Sequence, residues 1–98
     1  MATFLVVEHR SGPEWKAGRS LEEQSGWQAH AAFMDTLVAE RMIVLGGPLA
    51  DEFRVVLVFE AESEESVLAA LEPDPWIPSH LRVESIEPWT IRLDGRAR

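Results

Sequence analysis

The stretch spanning residues 27–49, WQAHAAFMDTLVAERMIVLGGPL, decides the fold because it joins an amphipathic helix to a short apolar strand. At about 100° per residue, several of its apolar side chains fall on one side of a helix. This apolar stripe consists of Trp27, Ala31, Met34, Val38 and Met42. His30 and Leu37 lie along one margin of the stripe. An imidazole at that margin can face a pocket instead of bulk water, so His30 is a candidate site residue.

The first helix is predicted to run from about residue 21 to about residue 41. Ser20 and Glu23 have capping-box spacing: the hydroxyl can accept from a free backbone N–H, and the carboxylate can reach back to Ser20. Gly26 weakens the first third of this helix, because glycine costs up to about 1 kcal/mol relative to alanine in a helix interior.

Further elements on both sides of this stretch give a β-α-β-β-α-β order. Residues 3–9 and 53–60 are predicted strands, rich in β-branched and aromatic side chains. Residues 42–45 form another strand, which Gly46-Gly47-Pro48 is expected to end in a tight turn. Ser63 caps a second helix, and residues 81–93 form a last strand bent at Pro88. The order is that of a ferredoxin-like α+β fold, an antiparallel sheet with two helices on one face.

Composition and charge narrow the class of protein. The 98 residues, 46% of them hydrophobic, suit one domain, with a core over residues 3–93 and a polar tail over residues 94–98. The absence of cysteine excludes disulfides, thiolate catalysis and cysteinyl metal sites. A net charge of −8 with dispersed basic residues argues against nucleic acid and membrane surfaces as partners. The apolar run at residues 4–7 is too short for a signal peptide or a membrane span, so a cytoplasmic protein is expected.

The predicted strands at residues 3–9 and 53–60 carry apolar side chains on both faces. Phe4 and Val6 alternate with Leu5 and Val7 in the first, and the same two-sided pattern recurs in residues 53–60. Two helices cover only one face of a sheet. A second copy of the chain is the simplest cover for the other face, so a homodimer is expected.

Three features, in this order along the chain, resemble the YciI-like family of YCII-related domains. They are a histidine on the first helix (His30), a Gly-Pro after the second strand (Gly47-Pro48) and an Asp-Pro-aromatic after the second helix (Asp74-Pro75-Trp76). The resemblance covers roughly residues 3–93. It implies a dimeric α+β barrel, with two ferredoxin-like sheets packed face to face and a pocket in each subunit.

The resemblance also implies a site in which the helix histidine and the Asp-Pro aspartate act together, here His30 and Asp74. The family often has an arginine one turn before the histidine, whereas this chain has Trp27, which favours a stacking or apolar wall over anion binding. The residues expected to bind the substrate are Trp27, Gly47, Pro48 and Trp76.

Histidine and carboxylate side chains suit proton transfer near neutral pH. The leading hypothesis is a small cofactor-independent enzyme, a lyase, isomerase or dehalogenase-like enzyme, with His30 and Asp74 as acid–base residues. Small organic molecules, cyclic and aromatic ones among them, are the candidate substrates. A non-catalytic small-molecule-binding or regulatory module and a structural dimerisation domain are the alternatives.

Each candidate site residue can also have a purely structural role. His30 can be a helix-flank histidine bonded to a carbonyl, and Asp74 between two prolines can be an ordinary turn former. The three histidines, His9, His30 and His80, lie on separate elements without the spacing of metal ligands, so no metal site is expected.

Overall fold

A computed structural model describes residues 1–96 and has the predicted β-α-β-β-α-β order. Its elements are β1 (Ala2–His9), α1 (Trp27–Ala39), β2 (Ile43–Pro48), β3 (Arg54–Ala61), α2 (Glu64–Leu71) and β4 (Arg82–Pro88). The strands form one antiparallel sheet in the order β2-β3-β1-β4, which confirms the ferredoxin-like α+β fold. Residues 97 and 98 of the predicted polar tail lie outside the described residues.

The core lies between the helices and one face of the sheet. β1 and β3 pair in register, with Phe4 opposite Phe59 and Val6 opposite Leu57. These four side chains are buried together with Leu37, Ile43, Ala61, Val67 and Leu71. Because strand side chains alternate between faces, Glu8 points to the same side as Phe4 and Val6, toward the helices.

The first helix begins later than predicted. Leu21–Glu23 is a single 3-10 turn, in which the backbone N–H of Ser20 donates to Glu23 Oε1 at 2.9 Å, and α1 begins only at Trp27. Gly26 has a φ of 74° and is the N-cap of α1. This left-handed conformation suits glycine and breaks a continuous helix, so the glycine separates the two segments.

The second strand is longer than predicted. Gly46, Gly47 and Pro48 belong to β2 and do not end it. A Cβ on Gly46 would lie 2.7 Å from Leu57 Cδ2, so glycine allows β2 to approach β3 closely. Pro48 is tolerated because β2 is an edge strand, where a missing N–H breaks no pairing on the open side. The predicted turn at these residues is therefore wrong.

The last strand is shorter than predicted. β4 ends at Pro88, and residues 89–93 continue without strand pairing. One further bond joins the backbone N–H of Trp89 to Thr3 O at 2.9 Å.

The sheet face turned away from the helices carries a band of apolar side chains. Leu5 lies opposite Val58, and Val7 lies opposite Val56, each partly exposed. Neither helix among residues 1–96 is long and apolar enough to cross a membrane.

Candidate functional site

A cavity of about 400 Å³ lies between α1 and the helix-bearing face of the sheet. Its walls come from the apolar stripe of α1, from β2 and from the ends of β1 and β3. The stripe residues on its wall are Trp27, Ala31, Met34 and Val38. The sequence-predicted apolar stripe thus faces open space, while its margin residues His30 and Leu37 are the buried residues of α1.

His30 and Asp74 are joined by a hydrogen bond, although they are 44 positions apart in the chain. His30 Nδ1 lies 2.8 Å from Asp74 Oδ1, and the residues are 8% and 2% exposed. An ionised carboxylate only accepts hydrogen bonds, so Nδ1–H donates to it. In the neutral ring, Nε2 is then free to accept a proton. His30 lines the cavity, so this pair lies beside space that a ligand can fill.

Asp74 is fixed by the turn that follows α2. Its backbone N–H donates to Leu71 O at 3.0 Å, and its Oδ1 accepts the backbone N–H of Trp76 at 2.9 Å. Both the turn-former reading and the pairing with His30 therefore apply to this carboxylate. Within residues 1–96, Asp74 Oδ2 is buried with no hydrogen-bond partner.

Trp76 supports the imidazole of His30 from behind. The two rings stack with centroids 4.1 Å apart and planes within 7°, and Trp76 Nε1 donates to Ser25 O at 2.8 Å. His80 stacks on the same indole at 4.7 Å. Stacking on the indole restricts the orientation of the His30 ring.

His80 is held on both of its ring nitrogens. Nε2 lies 3.0 Å from Ser25 Oγ, and Nδ1 lies 2.7 Å from Ser79 Oγ. Burial lowers the pKa of His80, and the nearby His30 acts in the same direction against the opposing charges of Glu14 and Asp74. His80 is absent from the cavity wall, and its contacts fix the stack against Trp76.

Glu8 is a site residue that the sequence analysis missed. It is 0% exposed and lines the cavity, and neither of its carboxyl oxygens has a hydrogen-bond partner among residues 1–96. Burial, reinforced by the charge of Asp74, raises the pKa of Glu8 to about 8. The sequence did contain one indication of this position. Side chains alternate between the two faces of a strand, so Glu8 lies on the same face as Phe4 and Val6.

Arg10 follows Glu8 on the same face of the chain and also lines the cavity. Its Nη1 donates to Glu52 O at 2.8 Å, and its guanidinium lies 4.6 Å from the ring of Trp15. Trp15 in turn makes an edge contact with Trp76 at 5.8 Å. These contacts hold the loop after β1 against the end of the cavity.

The predicted substrate-binding residues divide into two groups. Trp27, Gly47 and Pro48 line the cavity. Trp76 does not, because it is 1% exposed and lies behind His30. The structure therefore makes Trp76 a support for His30 and not a wall against the ligand.

The three histidine side chains do not gather into one cluster. His9 Nε2 pairs with Glu84 Oε1 at 2.6 Å, while the rings of His30 and His80 each stack on Trp76. Residues 1–96 contain no group of three or more histidine, aspartate or glutamate side chains arranged to hold a metal ion.

Comparison with known proteins gives no family for this chain. No protein-family model matches it, and no curated protein matches it.

Proposed function

We propose that the protein is a small cofactor-independent enzyme that transfers protons on a small organic molecule. The hydrogen bond between His30 Nδ1 and Asp74 Oδ1, beside a cavity of about 400 Å³, carries this proposal. A binding module needs the cavity and has no need of the pair. A structural dimerisation domain needs neither, so the combination favours the enzyme.

In this mechanism His30 is the group that moves the proton and Asp74 is the positioning residue. Asp74 accepts from Nδ1–H, which presents Nε2 as the base and stabilises the imidazolium once the ring has taken a proton. Trp76 holds the plane of the ring by stacking at 4.1 Å. Return of the proton to another carbon gives isomerisation, and loss of a leaving group from the neighbouring carbon gives elimination. A lyase, an isomerase and a dehalogenase-like enzyme all fit this chemistry.

The shape of the cavity favours compact and largely apolar substrates. Met34 and Val38 from α1 and Val55 and Leu57 from β3 form its apolar walls. Trp27 adds an indole at the position where the YciI-like family often has arginine. Cyclic and aromatic compounds suit such walls, because flat apolar faces can pack on them.

The proposal includes membership of the YciI-like family and a cytoplasmic homodimer. The order of elements and the His30–Asp74 pair support the family membership, and the apolar band formed by Leu5, Val7, Val56 and Val58 supports the dimer. Two copies packed through this band would form an α+β barrel and leave the cavity of each subunit on the outside, beneath its own helices.

Deuterium exchange tests the proposed chemistry without knowledge of the natural substrate. A panel of cyclic ketones and lactones is incubated with the protein in D₂O, and the loss of α-proton signal is followed by ¹H NMR. We expect faster exchange with the wild type for at least one compound. His30→Gln should reduce the enzyme-dependent rate by about 10²- to 10⁴-fold. His9→Gln, which alters a histidine outside the cavity, is the matched control.

Compounds that bind to the cavity without exchange would instead support the binding module. Equal exchange rates for the wild type and His30→Gln would contradict the assignment of His30.

A further inference from the structure

The carboxyl group of Glu8 is buried, and no hydrogen bond within residues 1–96 accounts for its burial. Both oxygens lack a hydrogen bond within residues 1–96, although polar groups in protein interiors are almost always bonded. An unpartnered polar group in an apolar setting destabilises the fold. Glu8 lines the same cavity as His30, so a ligand there can supply the missing partner.

The surroundings of Glu8 determine what it offers to such a ligand. Burial and the neighbouring charge of Asp74 raise its pKa to about 8, so most of the carboxyl is protonated at neutral pH. A protonated carboxyl has an O–H donor, whereas an ionised one only accepts. The cavity therefore combines a hydrogen-bond donor on β1 with a proton acceptor on α1.

We propose that Glu8 is a second catalytic residue, a carboxylic acid that donates to a carbonyl oxygen of the ligand while His30 removes a proton from the adjacent carbon. This inference rests on the proposed function and adds a substrate class to it. The substrate is a carbonyl compound with a compact apolar body and a hydrogen on the carbon next to the carbonyl.

The two residues complete one balanced step. His30 Nε2 takes the proton as the C–H bond breaks, and the electron pair of that bond forms a carbon–carbon double bond. The carbonyl π electrons move to oxygen, which takes the proton of Glu8 and becomes the hydroxyl of an enol. The reverse movement at the same carbon, or at a conjugated one, returns both protons. No oxidant or reductant is required.

The affinities of two matched probes show how much the hydrogen-bond donor contributes to binding beyond the apolar walls of the cavity. Indan-1-one and indane have the same ring system, and only the first has a carbonyl. We expect the wild type to bind indan-1-one more tightly, by about tenfold, which is the size of one hydrogen bond. Glu8→Met removes the donor and should abolish this preference. Glu8→Gln keeps an N–H donor and should retain most of it.

Exchange at the carbon next to the carbonyl of indan-1-one separates binding from catalysis. In D₂O, Glu8→Gln should bind indan-1-one and yet exchange its α-protons about 10²-fold more slowly than the wild type, because an amide cannot donate a proton to the forming enol. Glu62→Gln, at an exposed position between β3 and α2, is the control and should behave as the wild type. A purely structural Glu8 would not separate binding from exchange in this way.

The outcomes distinguish this inference from the proposed function. Exchange that depends on His30 and is unchanged in Glu8→Gln would overturn the role of Glu8 and leave that of His30. A carbonyl preference that Glu8→Met abolishes, without exchange in any variant, would support Glu8 as the donor to the ligand and contradict the enzyme. Equal binding of the two probes, or binding of neither, would overturn the carbonyl assignment.

Discussion

The helix-bearing face of the sheet has two halves that are built from the same strands and filled differently. In one half, which we call the closed core, Phe4 and Val6 of β1 and Phe59 of β3 pack against α2 side chains such as Val67, and all are buried. In the other half, the cavity, β1 continues with Glu8 and β3 with Val55 beneath α1. The pairing of β1 with β3 stays in register through both halves, whereas the pairing of β1 with β4 shifts by one residue between Val7 and Glu8, where the cavity begins.

The two halves differ at one polar position of β1, Glu8. A close-packed core tolerates few polar groups, because each needs a partner. Glu8 occupies the position where an apolar residue would have extended the closed core from Val6 along β1. The stripe of α1 stays apart from the sheet there, and His30 reaches the space from its margin. The cavity is therefore a departure from dense packing that the rest of the core must stabilise.

The largest expected effect on stability is that of Glu8→Gln. Its pKa is raised from 4.5 to about 8, so the folded protein holds the proton more tightly than the unfolded chain does. The stabilisation due to Glu8 protonation is complete below about pH 4.5 and is lost as pH rises toward 8. Glutamine does not ionise, so the variant should be more stable than the wild type by up to about 3 kcal/mol at pH 7.

Urea unfolding between pH 4 and pH 8 measures this difference. The free-energy difference between Glu8→Gln and the wild type should increase with pH, while Glu62→Gln shows no such trend. A difference that is independent of pH would show that the pKa of Glu8 is the same in the folded and the unfolded protein, which would contradict the assignment of Glu8 as a buried acid.

The sheet face turned away from the helices can be tested as an interface between two copies of the chain. If the band formed by Leu5, Val7, Val56 and Val58 is a dimer interface, Val56→Ser removes apolar area twice, once from each subunit. Sedimentation should then show a dimer that dissociates about 100-fold more readily than the wild type. Val55→Ser, one position along β3 and facing the cavity, is the matched control and should associate normally. A monomeric wild type at micromolar concentration would contradict the interface.

A matched pair of alanines tests the packing of the two halves directly. Ala61 lies in the closed core, and Ala31 lines the cavity. Ala61→Leu should destabilise the protein by about 1–3 kcal/mol, because a filled core has no room for three more carbons. Ala31→Leu should change the free energy of unfolding by less than about 0.5 kcal/mol and should reduce ligand affinity. Equal destabilisation in the two variants would show that the cavity closes in solution.

The order of elements could be predicted from the sequence because each element had a clear spacing of apolar residues and recognisable residues at its ends. The end of β2 could not, since Gly46-Gly47-Pro48 has a turn composition, and its place in a strand depends on Leu57 of the neighbouring strand. The start of α1 depended on the left-handed conformation of Gly26, which the sequence permits without requiring.

The candidate site was predictable in part. Helical spacing put His30 at the margin of an apolar stripe, and the family resemblance paired it with Asp74, which the structure brings within 2.8 Å. The burial of Trp76 and the burial of Glu8 depend on tertiary packing. Parity with Phe4 and Val6 indicated the direction of Glu8, but a glutamate near the end of a short strand is usually solvated.

The central claim is that His30 and Asp74 act as one unit, and a double-mutant cycle tests it most directly. The rate of α-proton exchange is measured in the wild type, His30→Gln, Asp74→Asn and the double variant, with circular dichroism to verify folding. Without His30, Asp74 has no ring to position, so the double variant should be no slower than His30→Gln alone. A double variant slowed by the product of the two single effects, or an Asp74→Asn variant as fast as the wild type, would contradict the account.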